Sequence, residues 1–398
     1  MTGAPHTVKS RLTALRTSFW PVPAACAAGA ILLAVGLSVL ELRVGLPFGN
    51  ILPSGLAGAR SLLSSIITAM ISFTALVFSI TVVALQLASS QYSPRVLRTF
   101  LQDRVTQFAL GTFLATALFA MVVLAALPDR SNARLPELSL AVAMILVLVS
   151  SGLFLYYLHH ITSIMRVSHI VAAIGTQTRR SIDEHVSRGE ARETPVRLPP
   201  PVRVITASGP GLVDDIDMGR LARLARAHAC AFSVLPTPGD FVVAGQPLVT
   251  VHATDAAPPP PVPEARVRAA VTLAVERQAG QDVGFGLRQL ADIAERALSP
   301  GLNDTTTAIR AVQEAHDLLR RLAGRPQHPW LVRDDDGTLR VHATPQSFDS
   351  FLAVAIDDVR RAGRDQPRVT RLLDAVLADL RTVALPEHLP DILRRLEP

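Results

Sequence analysis

Hydrophobic residues are concentrated in the first 160 positions of the chain, where four apolar runs are separated by short polar segments. The runs extend over about 21–40, 62–88, 108–127 and 138–158, and none contains a charged residue. Each is long enough to cross a bilayer whose hydrocarbon core is about 30 Å thick. The pattern predicts an N-terminal tail at 1–19 and a transmembrane domain of four α-helices over residues 20–160.

The remaining residues have the mixed polar and apolar pattern of a soluble chain. Helical periodicity continues past the fourth run, with neither glycine nor proline before Gly175. We therefore expect one long helix that emerges from the membrane, followed by a linker, over residues 161–201. Together with the regions described next, this predicts a membrane α-helical domain followed by an α+β region.

Residues 202–257 predict a small β-rich, barrel-like module, because β-prone runs are punctuated by the turns Gly239-Asp240 and Gly245-Gln246. The turns resemble those of biotinyl and lipoyl carrier domains, but the lysine that carries the cofactor is absent, which indicates a structural or docking role. A proline-rich linker at 258–263 leads to a mainly helical domain at 264–398. That domain contains one predicted hairpin, around its Asp-Asp-Asp-Gly turn.

The distribution of basic residues predicts the orientation of the chain. The tail, the three loops and the segment after the fourth run carry three, two, three, two and three basic residues in turn. Because basic loops remain on the cytoplasmic side, both termini are expected in the cytoplasm. The sequence thus predicts a multi-pass protein of a bacterial inner membrane.

Composition argues against an enzyme. The chain is 49% hydrophobic, its mean hydropathy is +0.33, and Lys9 is the single lysine among 39 basic residues. A P-loop lysine or a Schiff-base lysine is therefore absent from the folded body. The pattern offers no nucleophile–base pair and no metal-ligand cluster, so we expect no cofactor and no catalytic residues. The alternative is a membrane-attached, metal-dependent hydrolase that uses Asp282, Asp292, Asp304 and His316.

Five polar side chains recur on one face of the second apolar run. At 100° per residue, the following positions fall within about 60° of one another: Ser65, Thr68, Ser72, Ser79 and Gln86, here called the polar stripe. Polar groups at membrane depth need protein or water as neighbours. The stripe indicates either a tight helix–helix seam, because small residues let backbones approach closely, or the lining of a pore in an oligomer.

A second group of candidate residues lies in the C-terminal region. Asp282, Arg288, Asp292, Asn303 and Asp304 are candidates for a cytoplasmic site that binds a small cation or an anion. The anion would use the free N–H groups of the helix that starts near Asp304. The alternative is an ordinary corner, in which a Ser-Pro-Gly sequence ends one helix and Asp304 caps the next.

Several segments together resemble the DUF2254 family of bacterial predicted membrane proteins, whose function is unknown. The likeness is carried by Phe78–Arg95, Phe100–Arg104, Leu158–Ile161 and Ala297–Asp304, and it extends over nearly the full length. It implies an integral membrane protein with a cytoplasmic C-terminal region, and it carries no reaction, cofactor or site. Thr305 stands where the family commonly has proline, which weakens the case for a rigid site at that corner.

The sequence therefore favours an oligomeric, channel-like conduit with a cytoplasmic domain that senses or gates. Arg95 and Arg98 would lie at the inner mouth and favour anions. The alternative is a membrane-anchored scaffold or signalling protein that binds a cytoplasmic protein partner. The expected partners are the lipid bilayer and further copies of the chain. Nucleic acid is not expected, because arginine is common beside membranes.

Overall fold

A computed structural model describes residues 20–44, 55–91, 103–127, 136–164, 166–186, 198–254, 260–277 and 280–397. The chain divides into two compact units, Met1–Arg166 and Val167–Pro398. They are called the N-terminal unit and the C-terminal unit below, and each is described by itself.

The N-terminal unit is helical. Its described helices are α1 (Pro21–Val44), α2 (Leu56–Gln91), α3 (Arg104–Ala126) and α4 (Glu137–Ile164). Among the described residues, these four are long and apolar enough to cross a membrane, which confirms the four predicted spans. Helix α2 begins six residues before the apolar run, because Leu56, the alanines and Arg60 in the intervening segment are good helix formers.

Helix α3 is the most buried of the four helices. Its side chains Phe113 and Phe119 are fully buried. At Gly111, helix α1 comes so close that a Cβ atom would lie 3.1 Å from Cys26 Sγ. Beside Phe113, the rings of Phe73 and Phe154 stack with centroids 4.7 Å apart, which joins α2 to α4. The bundle is thus held by close packing, as expected where lipid removes the hydrophobic drive between helices.

Uncharged hydroxyl pairs add polar contacts between the helices. Tyr157 on α4 is fully buried, and its Oη lies 2.8 Å from Thr81 Oγ1 on α2. The hydroxyls of Thr116 on α3 and Ser150 on α4 lie 3.0 Å apart. Each hydroxyl thereby avoids the cost of an unpaired polar group in the bundle.

The C-terminal unit mixes helices and strands. Its helices are α5 (Val167–His185), α6 (Met218–Ala227), α7 (Glu264–Arg268), α8 (Val283–Ala297), α9 (Thr305–Ala323), α10 (Phe348–Leu352), α11 (Asp358–Ala362), α12 (Pro367–Val383) and α13 (Leu389–Leu396), with a π-helical segment (Ala353–Asp357) between α10 and α11. Its strands are β1 (Pro201–Thr206), β2 (Gly211–Ile216), β3 (Cys230–Val234), β4 (Phe241–Val242), β5 (Pro247–Ala253), β6 (Val271–Ala274), β7 (Trp330–Arg333) and β8 (Leu339–Ala343).

The strands form two open sheets. One has the order β1-β5-β3-β8-β7 and the other has the order β4-β2-β6. Neither sheet closes on itself within the described residues, so the barrel-like form expected from the turn pattern is not observed. The two sheets also include β6, β7 and β8, which lie beyond residue 257, the end of the predicted module. Strand β8 pairs in parallel with β3, and such a long-range contact leaves no local sequence signal.

The single helix predicted across the end of the fourth span is observed as two helices. Helix α4 ends at Ile164, and α5 begins at Val167 within the C-terminal unit. Helix α5 packs closely against its neighbours, since a Cβ atom on Gly175 would overlap Glu314 of α9. Arg179 also donates to Glu314, at 2.7 Å. Helix α5 is therefore a core element of a folded domain, and its apolar positions serve that packing.

Other local predictions are confirmed. Helix α6 lies within the module expected to be β-rich, and Asp217 accepts from the backbone N–H of Arg220 as its N-cap. Strands β7 and β8 form the predicted hairpin. The predicted corner separates α8 from α9, and Asp304 caps α9. These features follow from neighbouring residues, which explains why the sequence signals them.

Candidate functional site

The polar stripe lies on the exposed surface of α2 within the isolated chain. The side chains concerned are all exposed: Ser65, Thr68, Ser72, Ser79 and Gln86. The side chains that α2 buries in the bundle are apolar: Ala59, Leu63, Ile66, Met70, Val77 and Ala84. The stripe therefore does not form the seams between helices of the same chain.

Two hydroxyls of the stripe bond to their own helix. Thr68 Oγ1 donates to the carbonyl of Ser64 at 2.9 Å, and Ser72 Oγ donates to the carbonyl of Thr68 at 2.8 Å. Their lone pairs remain able to accept hydrogen bonds. The amide of Gln86 carries two donors. Arg95 and Arg98, predicted at the mouth of a pore, lie outside the described residues.

Asp282, a predicted ion-site residue, is used for structure. Its side chain is 3% exposed and caps α8 by accepting from Phe285 N at 3.0 Å. Arg277 Nε and Nη2 donate to its two oxygens at 2.7 and 2.9 Å. Gln346 Nε2 donates to the same carboxylate at 2.9 Å. Four hydrogen bonds saturate this carboxylate, and the guanidinium balances its buried charge.

The turn Thr237–Asp240 packs against this pair. Gly239 has φ +91°, and a Cβ atom there would overlap Asp282 and Arg277. Gln346 Nε2 also donates to Pro238 O, at 2.8 Å. Glycine is required at this position both for its left-handed backbone and for the close approach.

Arg288 is surrounded by carboxylates. Its Nε donates to Asp292 at 2.6 Å and its Nη1 to Asp358 at 2.7 Å, and it also pairs with Glu295. Burial alone would lower the pKa of Arg288, but these negative charges outweigh it and raise the pKa. The guanidinium is thus committed to neighbours of opposite charge and does not face a cavity as a free anion receptor.

Asn303 and Asp304 form the corner between α8 and α9. Asn303 adopts φ +47°, and its Oδ1 accepts from Gln366 Nε2 at 2.8 Å. Asp304 accepts from the backbone and hydroxyl of Thr307, at 3.0 and 2.6 Å. Hydrogen bonds from the Thr307 side chain and backbone lower the pKa of Asp304. The arrangement is that of an ordinary helix cap.

The structure thus places the predicted ion-site residues in three separate groups, each with its own partners. Asp282 and Asp292 are ten residues apart on one helix, a separation of about 15 Å along its axis. His316 pairs with Asp379 at 2.8 Å. Among the described residues, no three side chains of the metal-binding types converge.

One contact in the N-terminal unit was missed by sequence reasoning. Asp103 caps α3 by accepting from Thr106 N at 2.9 Å, and it also lies 3.0 Å from His160 Nε2 on α4. The sequence offered a usable signal, since aspartate is a favoured N-cap residue just before an apolar helix. Its partner on α4 lies 57 residues away and could not be identified from local sequence.

A family model described as a predicted membrane protein, DUF2254, matches residues 16–379. An uncharacterized protein of Mycobacterium bovis is 31% identical over 386 residues, which cover 94% of this chain and 73% of the relative. An uncharacterized protein of Mycobacterium tuberculosis H37Rv matches to the same extent. No solved structure matches the chain significantly. With a family model over most of its length and relatives at this identity, the chain belongs to the DUF2254 family of predicted membrane proteins.

Proposed function

We propose that this protein assembles in the membrane into an oligomeric, channel-like conduit, in which the polar stripe of each copy faces the conduit. The observation that carries the proposal is the exposure of the stripe on the isolated chain, opposite the face that α2 buries. In a lone copy the stripe would face lipid. Protein or water is a better neighbour for it, especially for the amide of Gln86.

The seams within one chain are formed by other residues. Phe73 and Phe154 join α2 to α4 by stacking, and Thr81 joins the same helices through Tyr157. The alternative role of the stripe as a seam is therefore restricted to contacts between copies. A conduit and a seam between copies both require oligomers, and they differ in whether water enters.

The C-terminal unit would act as the sensing or gating domain. In this arrangement both termini lie on the cytoplasmic side of a bacterial inner membrane. Reporter fusions test that orientation at positions 49 and 130, which lie outside the described residues. Alkaline phosphatase activity is expected at both positions. Activity of a cytoplasmic reporter at either one would contradict the topology.

Conductance in planar bilayers tests the conduit. Purified wild-type protein is expected to give discrete conductance with weak charge selectivity, because the stripe is uncharged. The double variant Ser72→Leu/Ser79→Leu should reduce it at least tenfold. Gly152→Leu on α4 is the matched control, because Gly152 is exposed with no atom near its Cβ position. Absent conductance, or conductance unchanged in the double variant, would overturn the conduit.

Cysteine cross-linking tests the oligomer. Ser72→Cys and Ser79→Cys, each in a background without Cys26 and Cys230, are expected to form disulfide-linked dimers in membranes. Leu148→Cys, 68% exposed on α4, is the control and should remain monomeric. Cross-linking without conductance would favour a seam between copies. If the stripe cysteines behave like the control, both roles fail.

A second candidate function is a membrane-anchored scaffold that binds a protein partner. It is favoured by apolar side chains that the C-terminal unit leaves exposed, notably Phe241 at 61% and Val275 at 95%. Exposed apolar patches often mark interaction sites. The double variant Phe241→Ser/Val275→Ser is expected to abolish partner capture from a bacterial lysate while leaving any conductance unchanged. Capture that is retained by this variant would contradict the scaffold.

A further inference from the structure

A cleft of about 370 Å³ opens in the C-terminal unit where the sheets meet the helices. One wall is the turn Thr237–Asp240, and the opposite parts of the lining come from Arg277, the start of α8 and the segment from Pro345 to Val354. The volume lies within the range of small-molecule pockets. Junctions between structural layers are common places for such sites.

A rigid guanidinium lies in this lining. Arg277 Nε and Nη2 are committed to the buried carboxylate of Asp282, and the ring of Phe285 lies 5.5 Å from the guanidinium carbon. Gln346 uses its carbonyl for Gly284 N and its amide hydrogens for Asp282 and Pro238. Among the described residues, Arg277 Nη1 has no hydrogen-bond partner. Its donors are therefore held in place and available to a ligand.

The carboxylate of Asp240 lines the same cleft. Asp240 Oδ2 accepts from Thr237 N at 2.7 Å and from Thr237 Oγ1 at 3.0 Å, which orients the side chain. Its Oδ1 has no partner within the described part of the chain. Gly239, the preceding residue, packs against Arg277. The cleft thus presents one oriented acceptor and one oriented donor in the same lining.

The remaining side chains of the lining are apolar in the deeper part of the cleft and carry hydroxyl groups at its rim. Phe351 is 4% exposed, and Val354 belongs to the π-helical segment Ala353–Asp357. Single π-helical turns are often found at functional sites. Ser347 and Ser350 are exposed at the edge of the cleft. A ligand with a short apolar group would therefore find apolar side chains in the same cleft as the two charged groups.

The charges select the class of ligand. Asp282 already balances Arg277, so Asp240 leaves this region with one net negative charge, which disfavours a simple anion. A simple cation would leave the Arg277 donors unused. We propose that the cleft binds a small zwitterion of the amino-acid class, with its carboxylate on Arg277 Nη1, its ammonium on Asp240 Oδ1 and its apolar side chain towards Phe351 and Val354. This site is independent of the conduit proposed above.

Isothermal titration calorimetry on the full-length protein in detergent micelles tests the proposal. Three probes of similar size are compared: L-leucine, L-leucinamide, which lacks the carboxylate, and 4-methylpentanoate, which lacks the ammonium group. L-Leucine is expected to bind at least tenfold more tightly than either of the others. Equal binding of all three, or no heat from L-leucine at millimolar concentration, would overturn the assignment of a zwitterion.

Variants locate the binding. Asp240→Asn should weaken the binding of L-leucine at least tenfold. Ser350→Leu, which narrows the rim at an exposed position, should weaken that binding to a similar extent. Asp336→Asn is the matched control, since Asp336 is also a turn carboxylate that accepts a backbone N–H. The affinity of the Asp336→Asn variant for L-leucine should equal that of the wild type. L-Leucine binding that survives both cleft variants would place the site elsewhere and contradict the inference.

Discussion

Within the apolar spans of the N-terminal unit, helices are joined by uncharged hydroxyl pairs, such as Tyr157 with Thr81, and the carboxylate contact of Asp103 with His160 lies at the N-cap of α3. In the C-terminal unit, helices and loops are joined by ion pairs, such as Arg277 with the buried Asp282 and Arg179 with Glu314. Charges cost too much in hydrocarbon, whereas in water the same pairs form at the edges of a hydrophobic core. The polar contacts of the two units therefore differ as the apolar and mixed compositions of their helices lead one to expect.

The units also differ in how much helix surface is packed. In the C-terminal unit a Cβ atom on Gly175 or Gly286 would overlap a neighbouring helix. In the N-terminal unit Gly111 of the buried α3 is similarly close to Cys26, whereas Gly152 in α4 has open space. The hydrophobic effect brings helices of one chain into close contact in water. The spans instead leave much of their surface for lipid or for other copies, and only α3 is mostly buried.

The largest expected effect is the loss of the buried ion pair in the C-terminal unit. Asp282→Ala leaves Arg277 without its partner and α8 without its cap, so the free energy of unfolding should fall by about 3–5 kcal/mol. Asp365→Ala, at a position whose side chain is 87% exposed, should stay within about 0.5 kcal/mol. Denaturant unfolding followed by the fluorescence of Trp330 measures both. Similar effects of the two variants would contradict the structural role of the pair.

The next largest loss of stability is expected when a glycine at a close contact between helices is replaced. Gly286→Val would force α8 away from Thr178 on α5. The free energy of unfolding should therefore fall by about 2 kcal/mol. The same change at Gly152 is expected to cost nothing measurable, because its Cβ position is open. Melting temperatures in detergent compare the two. A larger loss at Gly152 would reverse the proposed difference between the units.

A smaller loss of stability is expected when a buried hydroxyl group is removed from the helical bundle. Tyr157→Phe removes the hydrogen bond to Thr81 and should cost about 1 kcal/mol. Tyr156→Phe is the control, since Tyr156 is 54% exposed and keeps its ring against His160. Thermal unfolding in detergent measures the difference. Equal stability of the two variants would show that neutral pairs contribute little to this bundle.

The smallest effect concerns pH. Burial, together with the nearby charge of His252, lowers the pKa of His342 below its ordinary value of 6.5. A lowered folded-state pKa contributes stability above pH 6.5 that is lost as pH falls through the folded value. The melting temperature should therefore decrease from pH 7 to pH 5, and His342→Gln should flatten that slope. His169→Gln, at an exposed position on α5, should keep the wild-type slope, and a flattened slope there would assign the effect elsewhere.

The ion-site residues show why side-chain convergence escaped sequence reasoning. Asp282, Arg288 and Asn303 lie near one another in sequence, yet each meets a different distant partner: Gln346, Asp358 and Gln366 respectively. Helical periodicity tells which face of a helix a residue occupies. It does not tell which distant chain segment covers that face.

The sequence alone determined the four apolar spans, the cap of α9, and the hairpin of β7 and β8. All of these depend on residues within a few positions of one another, or on the total length of an apolar run. Only the tertiary structure decided that α5 belongs to the folded C-terminal unit, that β8 lies beside β3, and that Gln346 meets Asp282. Such contacts join segments far apart in the chain, and their energy comes from packing and charge pairing that exist only once the chain has folded.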